Sequence, residues 1–183
     1  MKVKIENVRL AFPRLFTAER VNGQGEPKYS ATFLLDPKHP ALGEIREAIS
    51  SVANEKWGAK APEFLRKLES ELKTCLKNGE SKEELDGFKG NLFISAINSK
   101  RPYVVNRDKT PLTLDDGVLY AGCYVNAVVD IWAMHNQFGK RICCSLLGVQ
   151  FLRDGDAFSG SSVADDSDFD DISIWDDLEG AQN

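Results

Sequence analysis

The last 30 residues of this chain, 154–183, contain ten Asp and Glu residues and no Lys or Arg. The remaining positions are rich in Ser and Gly, which offer little apolar surface to bury. A segment of this composition cannot offset the conformational entropy lost on folding, so it is expected to be disordered. A globular domain must therefore be built from residues 1–153.

The charges of the two parts are opposite. All 23 basic residues lie at or before Arg153, together with 18 acidic residues. Residues 1–153 therefore carry a formal charge of +5 and the tail carries −10, which the net charge of −5 conceals. A cationic domain attracts polyanions and an acidic tail imitates one. This separation of charge predicts interaction with nucleic acid.

The size and composition of the chain narrow its class further. A length of 183 residues suits one domain with appendages. Apolar and charged residues alternate from Met1 to Glu6, so no signal peptide is expected, and no apolar run approaches the roughly 20 residues of a membrane helix. The four cysteines form no Cys-x-x-Cys pair and there are two histidines. Free thiols in a reducing cytoplasm are therefore expected, rather than a zinc site.

Alternation of apolar and polar residues predicts a mainly β domain. A long hairpin is expected near the end of the domain, where Asn136-Gln137-Phe138-Gly139 turns the chain back. A further short strand is expected near 102–105. The principal strands are predicted over 2–12, 28–35, 91–97, 118–135 and 140–152.

A helical insert is predicted between the second and third principal strands, over about 41–87. Apolar residues recur at helical spacing from Ala41 to about Trp57, and again from Pro62 to about Leu76. A five-stranded barrel of the oligonucleotide-binding (OB) type accommodates this α+β pattern. A β-sandwich with an inserted helical hairpin fits almost as well.

Binding an unpaired nucleic-acid strand requires cations along the phosphates and flat side chains on which bases stack. Several short stretches of the domain supply both, and the loop that contains Lys100 and Lys109 is the most basic of them. The candidate nucleic-acid-binding residues are Phe12, Arg14, Phe16, Lys28, Tyr29, Arg101, Tyr103, Arg107, Trp132, Phe138, Lys140 and Arg141.

Single candidates also have ordinary structural interpretations. Phe12, Phe16 and Tyr29 could equally be core aromatics. Trp132 shares its strand face with Asp130, which favours a stacking or interface role over deep burial. The clustering of rings with cations is more persuasive than any one residue.

Catalytic interpretations have less support. Asp115, Asp116 and Asp130 could hold a metal as in nucleases, but Asp115-Asp116-Gly117 is ordinary turn chemistry. The sequence has no phosphate-binding glycine loop, nucleophile elbow or paired-histidine helix. The chain is therefore expected not to be an enzyme and to use no metal or other cofactor.

The tail carries bulky apolar side chains among its carboxylates, which a purely solubilising tail would not need. We expect the segment 165–178 to compete with nucleic acid for the groove of the domain and, when displaced, to recruit partner proteins. The alternative is a tail that only prevents aggregation. The residues expected to contact partners are Phe169, Asp170, Asp171, Trp175, Asp176 and Asp177.

Three stretches carry a family resemblance: Val8-Arg9-Leu10-Ala11-Phe12-Pro13, the strand from Lys28 to Leu35, and the hairpin from Gly122 to Phe151. They resemble a family of bacteriophage-encoded single-stranded DNA-binding proteins over residues 1–158. The resemblance implies an OB-fold that coats single strands during phage replication or recombination in the cytoplasm of an infected bacterium. It also implies an acidic tail that contacts replication or recombination proteins. Related tails often end on an aromatic residue, whereas this one ends Gly180-Ala181-Gln182-Asn183.

Two other functions stay open at this point. Stacking rings and a basic groove do not distinguish DNA from RNA, so an RNA- or duplex-binding protein is one alternative. An adaptor that acts through its acidic tail is the other. The sequence also leaves the oligomeric state open, a homodimer included.

Overall fold

The computed structural model describes residues 1–21 and 23–158. Most of the predicted disordered tail, from 159 to 183, thus lies outside the described residues. The described part of the chain forms two α-helices, α1 (Leu42–Trp57) and α2 (Ala61–Ser70), and strands β1 (Lys2–Val21), β2 (Gln24–Leu35), β3 (Leu76–Asn78), β4 (Leu92–Asn98), β5 (Tyr103–Val105), β6 (Tyr124–Asn136) and β7 (Gly139–Arg153).

Five long strands close into a barrel. The strands pair in the order β3-β4-β2-β1-β6-β7-β5, and most neighbours are antiparallel. A parallel pairing of Ile97 on β4 with Ser145 on β7 joins the two sides of the sheet. The result is a mixed five-stranded barrel with a helical insert after β2, so the predicted OB-like barrel is confirmed and the sandwich alternative was wrong.

The interior of the barrel follows the two-residue period of its strands. On β6, alternate residues from Val125 to Ile131 are fully buried, as their uniformly apolar face predicts. Helix α1 packs on this strand, and its predicted apolar stripe is buried throughout: Leu42, Ile45, Ile49, Val52 and Ala53.

The first strand is longer than predicted. Proline was expected to end it at Phe12-Pro13, but β1 continues to Val21 through a bulge between Ala11 and Arg14. Phe12 adopts a φ of +46° there. A bulge leaves a residue outside the hydrogen-bond ladder, so proline is tolerated beside it. The consequence is a long β1–β2 hairpin that ends with Val21 opposite Gln24.

The second helix is shorter than predicted. Its apolar spacing continues to Leu76, but α2 ends at Ser70, and Leu72 adopts a φ of +57° that a helix cannot continue. Leu76 then pairs with Ile94 in the short strand β3. Apolar spacing alone could not show that Leu76 has a strand partner.

A second, smaller apolar cluster lies outside the barrel and holds the end of the described chain. Residues 154–158, here called the strap, fold back so that the Arg9 guanidinium lies 4.4 Å from the ring centroid of Phe158. The Tyr120 hydroxyl donates to Asp154 Oδ1 at 2.8 Å. The packed chain thus extends beyond the predicted boundary at Arg153. The cluster comprises Ala11, Leu34, Phe88, Phe93, Ala121 and Phe158.

Candidate nucleic-acid interface

A continuous row of side chains crosses the outer face of the barrel between the β1–β2 and β6–β7 hairpins. Cross-strand pairing places Arg14 opposite Ser30, Ser30 opposite Ile97, and Ile97 opposite Ser145. Directly paired residues project from the same side of a sheet. These four residues, together with Trp132, form what we call the cross-strand row. The row follows the curved sheet across β1, β2, β4, β7 and β6. Four steps between strands at about 4.8 Å each give a path of about 19 Å.

Trp132 ends the row on β6. Its indole N–H donates to Ser145 Oγ at 3.0 Å, and 41% of the residue is exposed. Asp130 lies on the same face, where the amino group of Met1 approaches its carboxylate at 2.7 Å and offsets its charge. The indole is therefore held at the surface by a polar contact while part of it stays open to solvent.

The apolar member of the row is Ile97, which is 41% exposed although it lies in a barrel strand. Neither it nor Ser145 was among the predicted site residues. The alternation of Phe93, Ser95 and Ile97 on one face of β4 was available in the sequence. The closure of β4 on β7, which places Ile97 beside Ser145, was not.

At the β1–β2 end, Arg14 is exposed and Lys28 is half-buried, and each forms an ion pair that solvent reaches. Arg14 Nε lies 2.7 Å from Glu19 Oε2, with about half of each side chain in solvent. Lys28 Nζ lies 3.8 Å from Glu26 Oε2. Exposed ion pairs contribute little net stability, so a phosphate can replace either carboxylate.

The basic loop before and after β5 flanks the row. Tyr103 pairs with Gly148 on β7, three residues or about 10 Å beyond Ser145, and is 63% exposed. A Cβ atom at Gly148 would lie 3.1 Å from the Tyr103 carbonyl oxygen, so the close pairing favours glycine. Arg101 and Arg107 are exposed on the same loop, and the Arg107 carbonyl accepts from the Gln150 side chain at 3.2 Å.

Three predicted aromatic residues lie apart from the row. Phe16 is half-buried and packs against the main core. Tyr29 is half-buried opposite Asn98, on the strand face that turns inward. Phe12 is 48% exposed, but its ring lies 6.1 Å from that of Phe88 in the second cluster. Of the three, Phe12 alone presents much of its surface to solvent, at the edge of the outer face.

The β6–β7 hairpin separates its predicted residues between two faces. Arg141 pairs with Met134 on the face that carries Trp132. Lys140 belongs to the opposite face, where its Nζ lies 4.4 Å from the ring centroid of Phe64 on α2. Phe138, at the tip, is 84% exposed. The structure therefore brings Arg141 toward the row and leaves Lys140 against the helical insert.

The described residues form no metal-binding group, disulfide or membrane-spanning helix. In the described ranges no three His, Cys, Asp or Glu residues are grouped so as to hold a metal ion. The cysteines are free; the Cys144 thiol hydrogen-bonds Cys75 and lowers the pKa of Cys75, against the effect of burial. No helix among residues 1–21 and 23–158 is long and apolar enough to cross a membrane.

Comparison with known proteins decides the family. The model of the family of the Enterobacter phage Enc34 ssDNA-binding protein matches residues 1–179. The chain belongs to this family. The predicted resemblance to phage single-stranded DNA-binding proteins is thereby confirmed. Protein p50 of Acyrthosiphon pisum secondary endosymbiont phage 1 is 48% identical over 177 residues, which cover 95% of each chain.

Solved structures agree with this assignment. The single-stranded DNA-binding protein of bacteriophage Enc34, in complex with ssDNA, superposes with a TM-score of 0.74 and 28% identity, covering 86% of this chain and 89% of the other. The single-stranded DNA-binding protein gp2.5 of bacteriophage T7 gives a TM-score of 0.58 at 11% identity, covering 90% and 98%. The second likeness concerns the fold alone.

Proposed function

We propose that this member of the Enc34 family binds single-stranded DNA without sequence preference and coats it during phage replication or recombination. The observation that carries the proposal is the cross-strand row, with Trp132 exposed at one end and Arg14 at the other. It crosses the face between two hairpins where OB-folds bind oligonucleotides. The Enc34 relative, which was solved with ssDNA, supports the same ligand class.

The chemistry of the row suits a strand of any sequence. Trp132 and Tyr103 offer ring faces, and every base can stack on a ring. Arg14, Lys28 and Arg101 supply charges for successive phosphates. Since neither contact reads the edge of a base, affinity depends on salt and strand flexibility rather than on sequence.

The finer parts of the proposal concern the tail and the setting. The acidic segment 165–178 competes with DNA for the row and, when DNA displaces it, binds replication or recombination proteins. This role rests on its alternation of carboxylates with Phe169 and Trp175. The protein acts as a binding protein rather than an enzyme, in the cytoplasm of the infected bacterium.

The test is fluorescence anisotropy of labelled oligo-dT, oligo-U and duplex DNA with increasing protein at several salt concentrations. We expect tight binding of oligo-dT that weakens steeply with salt. If duplex DNA or oligo-U binds as tightly as oligo-dT or more tightly, single-stranded DNA is not the preferred ligand. If residues 1–158 do not bind any of the three, the adaptor function is favoured. Cleavage of the oligonucleotide with added Mg²⁺ would indicate a nuclease. Sedimentation of the same samples measures the oligomeric state, including a homodimer.

A further inference from the structure

Three cations that the cross-strand row does not include meet beside it. Lys77 lies on β3, Lys82 lies in the 3₁₀ turn that follows, and Arg141 lies on β7. Lys77 is paired with Phe93, whose ring centroid lies 5.5 Å from Lys82 Nζ. We call these three residues the cationic trio. Lys77 and Lys82 come from one segment and Arg141 from another, and the fold brings their charges near one another.

Among the described residues, the trio has no ion-pair partner. No carboxylate of the described residues lies within 4.0 Å of Lys77, Lys82 or Arg141. Glu80, which is near in sequence, instead accepts from the Gly90 N–H at 2.8 Å. Residues 1–21 and 23–158 therefore leave these three cations available to an anion.

The environment of Lys77 shows that these charges interact. Burial lowers the pKa of Lys77, and the charges of Arg141 and then Lys82 lower it further, while Cys75 opposes them. Lysines with lowered pKa values occur where burial and like charges disfavour the ammonium form. A bound anion would relieve both the repulsion and the cost of burial.

The trio is continuous with the cross-strand row. Trp132 pairs with Cys143 and Met134 pairs with Arg141, so Arg141 follows the indole on the same face after two residues, about 7 Å. A strand whose base stacks on Trp132 would thus carry its next phosphates over Arg141 toward Lys77.

We propose that the cationic trio is a second phosphate-binding site, which grips the sugar–phosphate backbone of the strand where it leaves Trp132. This proposal rests on the proposed function and extends the DNA-binding surface. Its ligand is the phosphodiester group, and it lengthens the DNA path from the row across β7 to β3. DNA binding should therefore depend on residues of the segment 77–82, which looks in the sequence like the solvated surface of the helical insert.

The experiment measures the affinity of the full-length protein for oligo-dT against salt for a triple variant, Lys77→Gln, Lys82→Gln and Arg141→Gln. Each phosphate contact contributes about 0.7 to the slope of log K against log salt, so the triple variant should lose about 2 units. If the variant and the wild type bind equally at 1 M salt, this difference in slope makes the variant bind about 100-fold more weakly than the wild type at 0.1 M salt. The control is Lys38→Gln, Lys56→Gln and Lys60→Gln, three exposed lysines between β2 and α2. Its slope should stay within a fraction of a unit of the wild type.

A wild-type slope and affinity in the trio variant would overturn the inference while leaving the proposed function intact. Failure of the wild-type protein to bind oligo-dT would instead reject the proposed function. Thermal unfolding guards against a folding artefact, because relief of repulsion should leave the midpoint unchanged or raised. If the triple variant has a lower unfolding midpoint than the wild type, the single variant Arg141→Gln, at an exposed residue, replaces it. Its slope of log K against log salt should be smaller than that of the wild type by about 0.7. Tighter binding by the full-length variant, lost in residues 1–158, would mean that the trio holds the acidic tail and would overturn the assignment to phosphate.

Discussion

Replacing Trp132 by alanine should weaken binding of single-stranded DNA without unfolding the protein. A base stacked on an aromatic ring contributes about 1–3 kcal/mol, which corresponds to about 5- to 160-fold in affinity. The indole is 41% exposed and makes one hydrogen bond, to Ser145 Oγ. Loss of that bond should lower the free energy of unfolding by about 1 kcal/mol, and loss of the buried part of the ring should lower it further. The variant should still fold, so that the loss of DNA binding can be measured on folded protein.

The assay is anisotropy of labelled oligo-dT at one fixed salt concentration, with urea denaturation of the same preparations. Trp132→Phe provides the matched comparison, because it keeps a ring for stacking but loses the N–H donor to Ser145. It should bind between wild type and Trp132→Ala. If Trp132→Ala folds normally and binds oligo-dT as tightly as wild type, the indole does not stack on DNA and the placement of the strand on the row is wrong.

Three further predictions concern the tail, the cationic trio and the strap. Deleting residues 159–183 should raise affinity for oligo-dT, most at low salt, and anisotropy that shows unchanged or weaker binding would reject tail competition. Because Lys77 has a lowered pKa that a bound phosphate would raise, binding should take up protons. The affinity for oligo-dT should therefore fall as pH rises through that lowered pKa. Lys77→Gln should flatten this part of the curve of affinity against pH, and a variant curve identical to that of the wild type would contradict the prediction. Phe158→Ala should lower the free energy of unfolding by about 3 kcal/mol, because the ring is 9% exposed and packs on Arg9. Urea denaturation checks this, and a loss below about 1 kcal/mol would show that the strap does not stabilise the barrel.

The barrel was predictable where one strand face was uniformly apolar. The alternation around Val125–Ile131 fixed both the strand and the side that turns inward. The ends of elements were harder, because they depend on partners distant in the sequence. Leu76 continues a helical stripe yet pairs with Ile94, and Pro13 lies in a bulge that only the β1–β2 pairing reveals.

The candidate site was predictable as a set of residue types but not as a surface. Tyr103, a ring that stands close to cations in the sequence, is exposed, and so is Trp132, which shares its strand face with Asp130. Neighbours such as Lys140 and Arg141, however, lie on opposite faces of β7, because a strand alternates sides. Lys77 comes near enough to Arg141 for their charges to interact because β3 pairs with β4 and β4 pairs with β7. No local sequence pattern shows that proximity.

The end of the packed chain also depends on contacts between residues that are distant in the sequence. The composition after Arg153 predicts disorder, but Phe158 packs beside Arg9 and Gly87. A Cβ atom at Gly87 would lie 2.7 Å from the Phe158 ring, so the small residue leaves room for the aromatic one. A single apolar residue within an acidic segment is thus packed because a distant glycine admits it.

The most direct test of the central claim is the fluorescence of Trp132 itself. Trp57→Phe and Trp175→Phe leave it as the only indole, and Trp57 tolerates phenylalanine since its buried N–H has no hydrogen-bond partner in the structure. Addition of oligo-dT should then quench the emission in proportion to the strand bound, and salt should reverse the quenching. Emission that stays unchanged while anisotropy reports full binding would contradict the claim that unpaired DNA lies on the cross-strand row.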